Sequence, residues 1–223
     1  MLTSSRRSIR TLATVLALAS LGACAADSTP DQEEVPSSST TDDAATRFEE
    51  EIAGLPRLDR VEVFAQAETD GRLGTARKTR VVDARPAVAG ETIATVIAGD
   101  GVETISEPAT EGDMVVRNRC PETGNEEILV QAEKFPERYG PAQTSPDPEG
   151  YAEYLPTGIV SRYFELDDAD GEFVMEAPWG EDMVYRPGDI VIQNPADETD
   201  IYRVYSESFA CTYEVLSPAT DEG

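Results

Sequence analysis

The segment EGDMVVRNRCPETGNEEILVQAEKFPERY, residues 111–139, returns in altered form as PGDIVIQNPADETDIYRVYSESFACTY, residues 187–213. With Gly112 set on Gly188 and Asn125-Glu126 opposite a gap, Asp113 pairs with Asp189, Val115 with Val191 and Asn118 with Asn194. Further along, Glu122-Thr123 falls on Glu198-Thr199, Val130 on Val204, Phe135 on Phe209 and Tyr139 on Tyr213. Ten of 26 aligned pairs are identical across a single gap. Two copies are too few for a solenoid, which needs at least three. A pseudo-symmetric pair of modules sharing one core is the arrangement to expect.

Each copy carries its own mechanics. Gly-Asp ahead of MVV or IVI is a turn feeding a strand, because Gly tolerates positive φ and Asp bonds nearby backbone N–H groups. Asn118 and Asn194 close that strand, the polar PETGNEE and PADETD segments make the hairpin loop, and ILV and YRVY return as the second strand. Phe135 and Tyr139, like Phe209 and Tyr213, stand four apart, so one helical turn puts both rings on one face. Further strands are expected at 78–84, 92–97, 158–166 and 172–176, with GDG at 99–101 and DADG at 168–171 as hairpin turns. A helix over 46–53 has Thr46 as N-cap, Glu49 three residues on and Gly54 as the stop. The fold class is mainly β, antiparallel, in two pseudo-symmetric modules with short helices; α+β is the second choice.

The chain has 223 residues, 44 acidic against 18 basic side chains, a formal charge of −26 and no histidine. Such acidity excludes nucleic acid as a partner, since phosphate neutralisation needs clustered Lys and Arg. Without His, Ser-His-Asp and Cys-His catalysis and imidazole-ligated metals are excluded as well.

The N-terminus reads as an export signal. Arg6, Arg7 and Arg10 precede an apolar run at 12–21, about half of what spans a bilayer as a mature helix. Leu21-Gly22-Ala23-Cys24 resembles the bacterial lipobox. That resemblance implies that Cys24 becomes the first mature residue and carries a diacylglycerol, with a plain secretory signal as the alternative. Ser5-Arg6-Arg7-Ser8-Ile9 is similar to the core of a twin-arginine motif but lacks its Phe-Leu-Lys continuation, which favours general secretion. Removing residues 1–23 leaves 15 bases against 44 acids, or −29. Residues 25–45 contain one Val and no other large apolar side chain, so they are expected to be a disordered tether spanning roughly 25 Å root-mean-square. The expected organisation is a signal peptide at 1–23, lipidated Cys and tether at 24–45, and a first module at 46–139. A linker at 140–150, a second module at 151–216 and a tail at 217–223 follow.

Setting Cys24 aside leaves Cys120 and Cys211, an even remainder outside the cytoplasm, which reads as a disulfide. The repeated turn-strand unit also resembles the PGDYG-type domains of bacterial and phage proteins. Pro187-Gly188-Asp189 matches that turn; Glu111 replaces the Pro in the first copy, and Met114 and Ile190 replace the aromatic. The resemblance implies no activity.

Three groups of residues are candidates for chemistry. Asp113 and Asp189 are equivalent acids that a pseudo-twofold axis could bring together as a catalytic dyad. Their Gly-Asp context is that of an ordinary turn, so no catalytic residue is assigned. The run at 166–172 invites a calcium reading, but Leu166 and Ala177 stand where an EF-hand loop needs its first and last ligands. No metal and no cofactor are expected. All eight Tyr, Trp179 and three of six Phe lie between 139 and 213. Of these, Tyr151, Tyr154, Trp179, Tyr185, Tyr202 and Tyr205 form a candidate binding face, with plain core-building as the alternative. The expected function is a non-enzymatic binding or structural head of a membrane-anchored envelope lipoprotein. Its partners are the bilayer through Cys24 and a basic protein or a glycan of the envelope. A carboxylate-based hydrolase acting on cell-wall polymer is the alternative.

Overall fold

The structure, a computed structural model, describes residues 46 and 48–219; the export signal, Cys24, the tether and residues 220–223 lie outside them. The described residues belong to a single compact unit. A short helix at 48–52 (α1) is followed by α2 (Arg60–Thr69) and fourteen strands in four antiparallel sheets. The mainly β reading therefore holds. No helix among the described residues is long and apolar enough to cross a membrane.

In chain order the strands are β1 (Gly74–Lys78), β2 (Val82–Pro86), β3 (Ala94–Ile97), β4 (Gly101–Ile105), β5 (Met114–Asn118), β6 (Glu127–Val130) and β7 (Tyr139–Ala142). The second series is β8 (Ala152–Pro156), β9 (Val160–Glu165), β10 (Phe173–Glu176), β11 (Asp182–Tyr185), β12 (Ile190–Gln193), β13 (Ile201–Val204) and β14 (Tyr213–Ser217). A helical turn precedes the last strand of each series, α3 (Phe135–Arg138) and α4 (Ser206–Thr212). Two five-stranded sheets result, β6-β5-β2-β8-β7 and β13-β12-β9-β1-β14, while β3-β4 and β10-β11 are separate hairpins.

The two orders are the same order. Strand β8 holds the place in the first sheet that β1 holds in the second. The repeat therefore runs from β1 to β7 and again from β8 to β14, longer than the sequence comparison reveals, and each copy lends its first strand to the other's sheet. The segment 140–150 is accordingly not a linker between modules. Residues 140–142 are edge strand, where Pro141 is tolerated because its missing N–H faces no neighbour. The rest is a hairpin loop, closed by Gln143 N–H on Glu153 and by Asp147, which accepts from the Glu149 and Tyr151 amides. The DADG turn likewise joins strands of different sheets and makes no hairpin.

Period-two alternation builds the second module. Ile190 and Ile192 pack with Ala76, Tyr163 and Phe209 on one face of β12. Val191 points the other way, into a cluster with Phe64, Phe164, Phe173 and Tyr185. Both faces are covered, which is why IVIQ is buried at every position. Helix α2 supplies part of that cover, burying Phe64 and Ala67. Its N-terminus is set by Asp59, whose carboxylate accepts from Val61 N (2.9 Å) and Glu62 N (3.0 Å).

Candidate functional site

Asp113 and Asp189 occupy equivalent turns. Each accepts from the amide three residues upstream, Thr110 N at 2.7 Å and Arg186 N at 2.8 Å. Gly112 and Gly188 precede them at φ 94° and 91°, a conformation glycine reaches without strain. Beyond that shared turn their partners diverge. Asp113 takes Thr110 Oγ1 and Ala132 N, whereas Asp189 receives the Arg203 guanidinium at 2.6 and 2.9 Å. The two carboxylates share no partner, so the dyad does not assemble through them. Burial pushes the Asp189 carboxyl up, with Arg203 opposing the shift.

Two of the four acids of the 166–172 run, Asp167 and Asp170, are committed to protein. Asp170 is held by Arg72 at 2.7 and 2.9 Å, and Asp167 accepts from Ala169 N at 2.7 Å. Cys120 and Cys211 form the disulfide, Cα atoms 5.9 Å apart, consistent with an extracytoplasmic protein. Glu122 lies beside them, and these three residues could converge on an ion. Their sulfurs are spent in the bond.

The six aromatic candidates divide between three places. Tyr185 is fully buried in the second module's core, stacked on Phe173 with ring centres 5.3 Å apart. On the first sheet, Tyr151 is clamped by Arg117 over its ring (3.9 Å) and by Glu127 on its hydroxyl (2.6 Å), while Tyr154 meets Phe135 edge-on. Trp179, Tyr202 and Tyr205 line a cavity of about 160 Å³.

That cavity straddles the pseudo-twofold axis, because equivalent residues from both copies line it: Tyr139 with Tyr213, Asn118 with Asn194, Val130 with Val204. The structure also relocates the alignment gap. Asn118 N donates to Glu126 O (3.0 Å) just as Asn194 N donates to Asp200 O (3.1 Å), so Glu126 and Asp200 are the equivalent pair. The two extra residues of the first copy are Gly124 and Asn125, both at positive φ. Each of these acids is then reached by the helix of the other copy, Glu126 by Ser208 Oγ (2.8 Å) and Asp200 by Arg138 Nη2 (2.9 Å). The modules thus grip one another reciprocally across the cavity.

One wall is strongly acidic. Arg203, 1% exposed in its side chain, pairs with Asp189 (2.6 Å), Asp100 (2.7 Å) and Glu103 (3.2 Å). Arg186 also reaches Asp100 (3.4 Å) but is shared with Glu51, so two guanidiniums serve four carboxylates and negative charge is left uncompensated. Burial therefore pushes the Glu103 carboxyl up to about 7, with Arg203 opposing and the other acids adding to the shift. Glu181, on the same wall, is also raised by burial. Lys78 lines the cavity as well; its ammonium bonds Asn118 Oδ1 (2.8 Å) and lies 5.9 and 6.0 Å from the ring centres of Tyr139 and Tyr213.

Sequence reasoning named three of these residues, Trp179, Tyr202 and Tyr205, and missed the rest because they come from both ends of the repeat and from both hairpins. The repeated Asn and Tyr were the available signal: equivalent polar and aromatic residues in two copies gather wherever the copies face each other. No family model, curated protein or solved structure matches the chain.

Proposed function

We propose that the chain is an exported lipoprotein, anchored through Cys24, whose duplicated head is a non-enzymatic binding module for an envelope glycan. The cavity between the exchanged sheets carries this reading. It combines aromatic faces (Trp179, Tyr202, Tyr205) with fixed acceptors and the Lys78 ammonium, the mixture that binds the C–H faces and hydroxyls of a sugar ring. Its volume suits a ligand of one ring, below the range of drug-sized pockets. The formal charge of −29 on the mature chain keeps such a head soluble and repelled from anionic lipid within the screening length.

Two measurements test the reading. Saturation-transfer NMR on the full chain with soluble saccharide fragments of the envelope polymer should show transfer to the sugar. Val204→Trp, which fills the cavity from β13, should abolish it while leaving a cooperative melt. Transfer that survives the substitution, or that never occurs, would contradict the site. Anchoring is tested by Cys24→Ala, which should move the protein from the membrane to the soluble fraction; an unchanged distribution would contradict lipidation.

A further inference from the structure

The chain contains two lysines among its 18 basic residues, Lys78 and Lys134, and both line the cavity. Lys134 is committed to protein acids, 3.4 Å from Glu137 and 3.7 Å from Asp197. Lys78 has no carboxylate within ion-pairing reach among the described residues; its contacts are Asn118 Oδ1 at 2.8 Å and the Tyr139 hydroxyl at 3.5 Å.

The position breaks the repeat. Lys78 ends β1 opposite Tyr213, and the equivalent residue ending β8 opposite Tyr139 is Pro156. One of two matched places therefore carries a cation, and that single ammonium faces both tyrosine rings across the axis. Its orientation is enforced from behind. Asn118 donates its Nδ2 to Glu126 at 2.9 Å, so its Oδ1 is the atom turned to Lys78. An ammonium has three protons to give, and the second contact is long, so donor capacity remains for a ligand.

The other cations cannot take that part. Arg138 is bound to Asp200, and Arg203 to Asp189 and Asp100. The anion that fits is thus a monoanion, because one free ammonium in a chain this acidic does not balance a phosphate dianion. Glu103, which lines the same cavity, is 8% exposed and receives one hydrogen bond, from Arg203, which leaves acceptor capacity for hydroxyl groups. Trp179 and Tyr202 line it too, with ring centres 5.7 Å apart.

Resting on the cavity as the binding site, we propose that its ligand is an acidic monosaccharide: a pyranose whose single carboxylate seats on Lys78 and whose hydroxyls meet Glu103. Trp179 is the chain's one tryptophan and lines the cavity, so its fluorescence reports occupancy directly. The test titrates the full chain in detergent with N-acetylmuramate, and separately with N-acetylglucosamine, which has the same ring and amide but no carboxylate. The acid should give a saturable change at least tenfold tighter than the neutral sugar. Lys78→Met should erase that preference and Lys78→Arg should keep it, each variant being checked for an unchanged melt. Should Lys78→Met fail to fold, the acid-to-neutral ratio on the unaltered chain decides. Equal affinity for the two sugars overturns the carboxylate assignment while leaving the cavity as the site. No response to either sugar overturns the ligand class and the binding reading together.

Discussion

Glu103 shows how a single side chain is governed by its surroundings. Its carboxyl is raised to about 7 by burial, against an ordinary carboxylate value once the chain unfolds. The folded state therefore holds this proton longer. The stability that Glu103 contributes is full below about pH 4.5 and is lost as pH rises through 7, an effect of about 3 kcal/mol. Glu103→Gln should match the unaltered protein near pH 4.5 and exceed it above pH 8, as read from urea midpoints across that range. A difference that does not change with pH would contradict the assignment. None of this is legible in sequence, where Glu103 is one acid among 44. Its environment is made by burial beside other acids, and the Arg203 that opposes them stands in a strand whose pattern of Ile201, Tyr202 and Val204 announces only a strand.

The repeated strands and helical turns were legible because their signals are local. Gly-Asp before a β-branched run, Asn at its end, and Phe and Tyr four apart each act within a few residues. Both ring pairs meet as expected, at 5.1 Å for Phe135 and Tyr139 and 4.9 Å for Phe209 and Tyr213. Helix α2 went unread although Asp59, with Glu62 three residues later, is a serviceable start signal. It buries only Phe64 and Ala67, with Val63 partly covered, a face too narrow for periodicity to reveal. The two helical turns are secured differently. Arg138–Asp200 and Lys134–Asp197 hold α3, while Cys120–Cys211 fastens α4 to the loop after β5. With the cysteines 91 positions apart, replacing both by Ser should cost about 4–5 kcal/mol in the chain-entropy account. Amide exchange should quicken in α4 and not in α3; equal acceleration in both would show that the bond acts on the whole fold and not on this element.

At the scale of the molecule, the governing fact is that each copy completes the other's sheet. Sequence comparison stopped at Gly112 because β1 and β8 share almost no residues: GTARK against AEYLP. What they share is a place in the ladder, which only pairing reveals. Neither sheet can come apart alone without stranding a strand of the other, so unfolding should follow one cooperative transition in urea, with circular dichroism and Trp179 fluorescence coinciding. Two separated transitions would mean that the modules are independent after all. The same exchange creates the cavity, placing two equivalent tyrosines around one lysine and adding buried acids to its lining. The most direct measurement is a crystal structure of the full chain grown with N-acetylmuramate. The sugar should lie between the two sheets, with its carboxylate within hydrogen-bonding distance of Lys78 Nζ and its ring beside Trp179. Sugar density elsewhere on the molecule, with the cavity holding only water, would contradict the account.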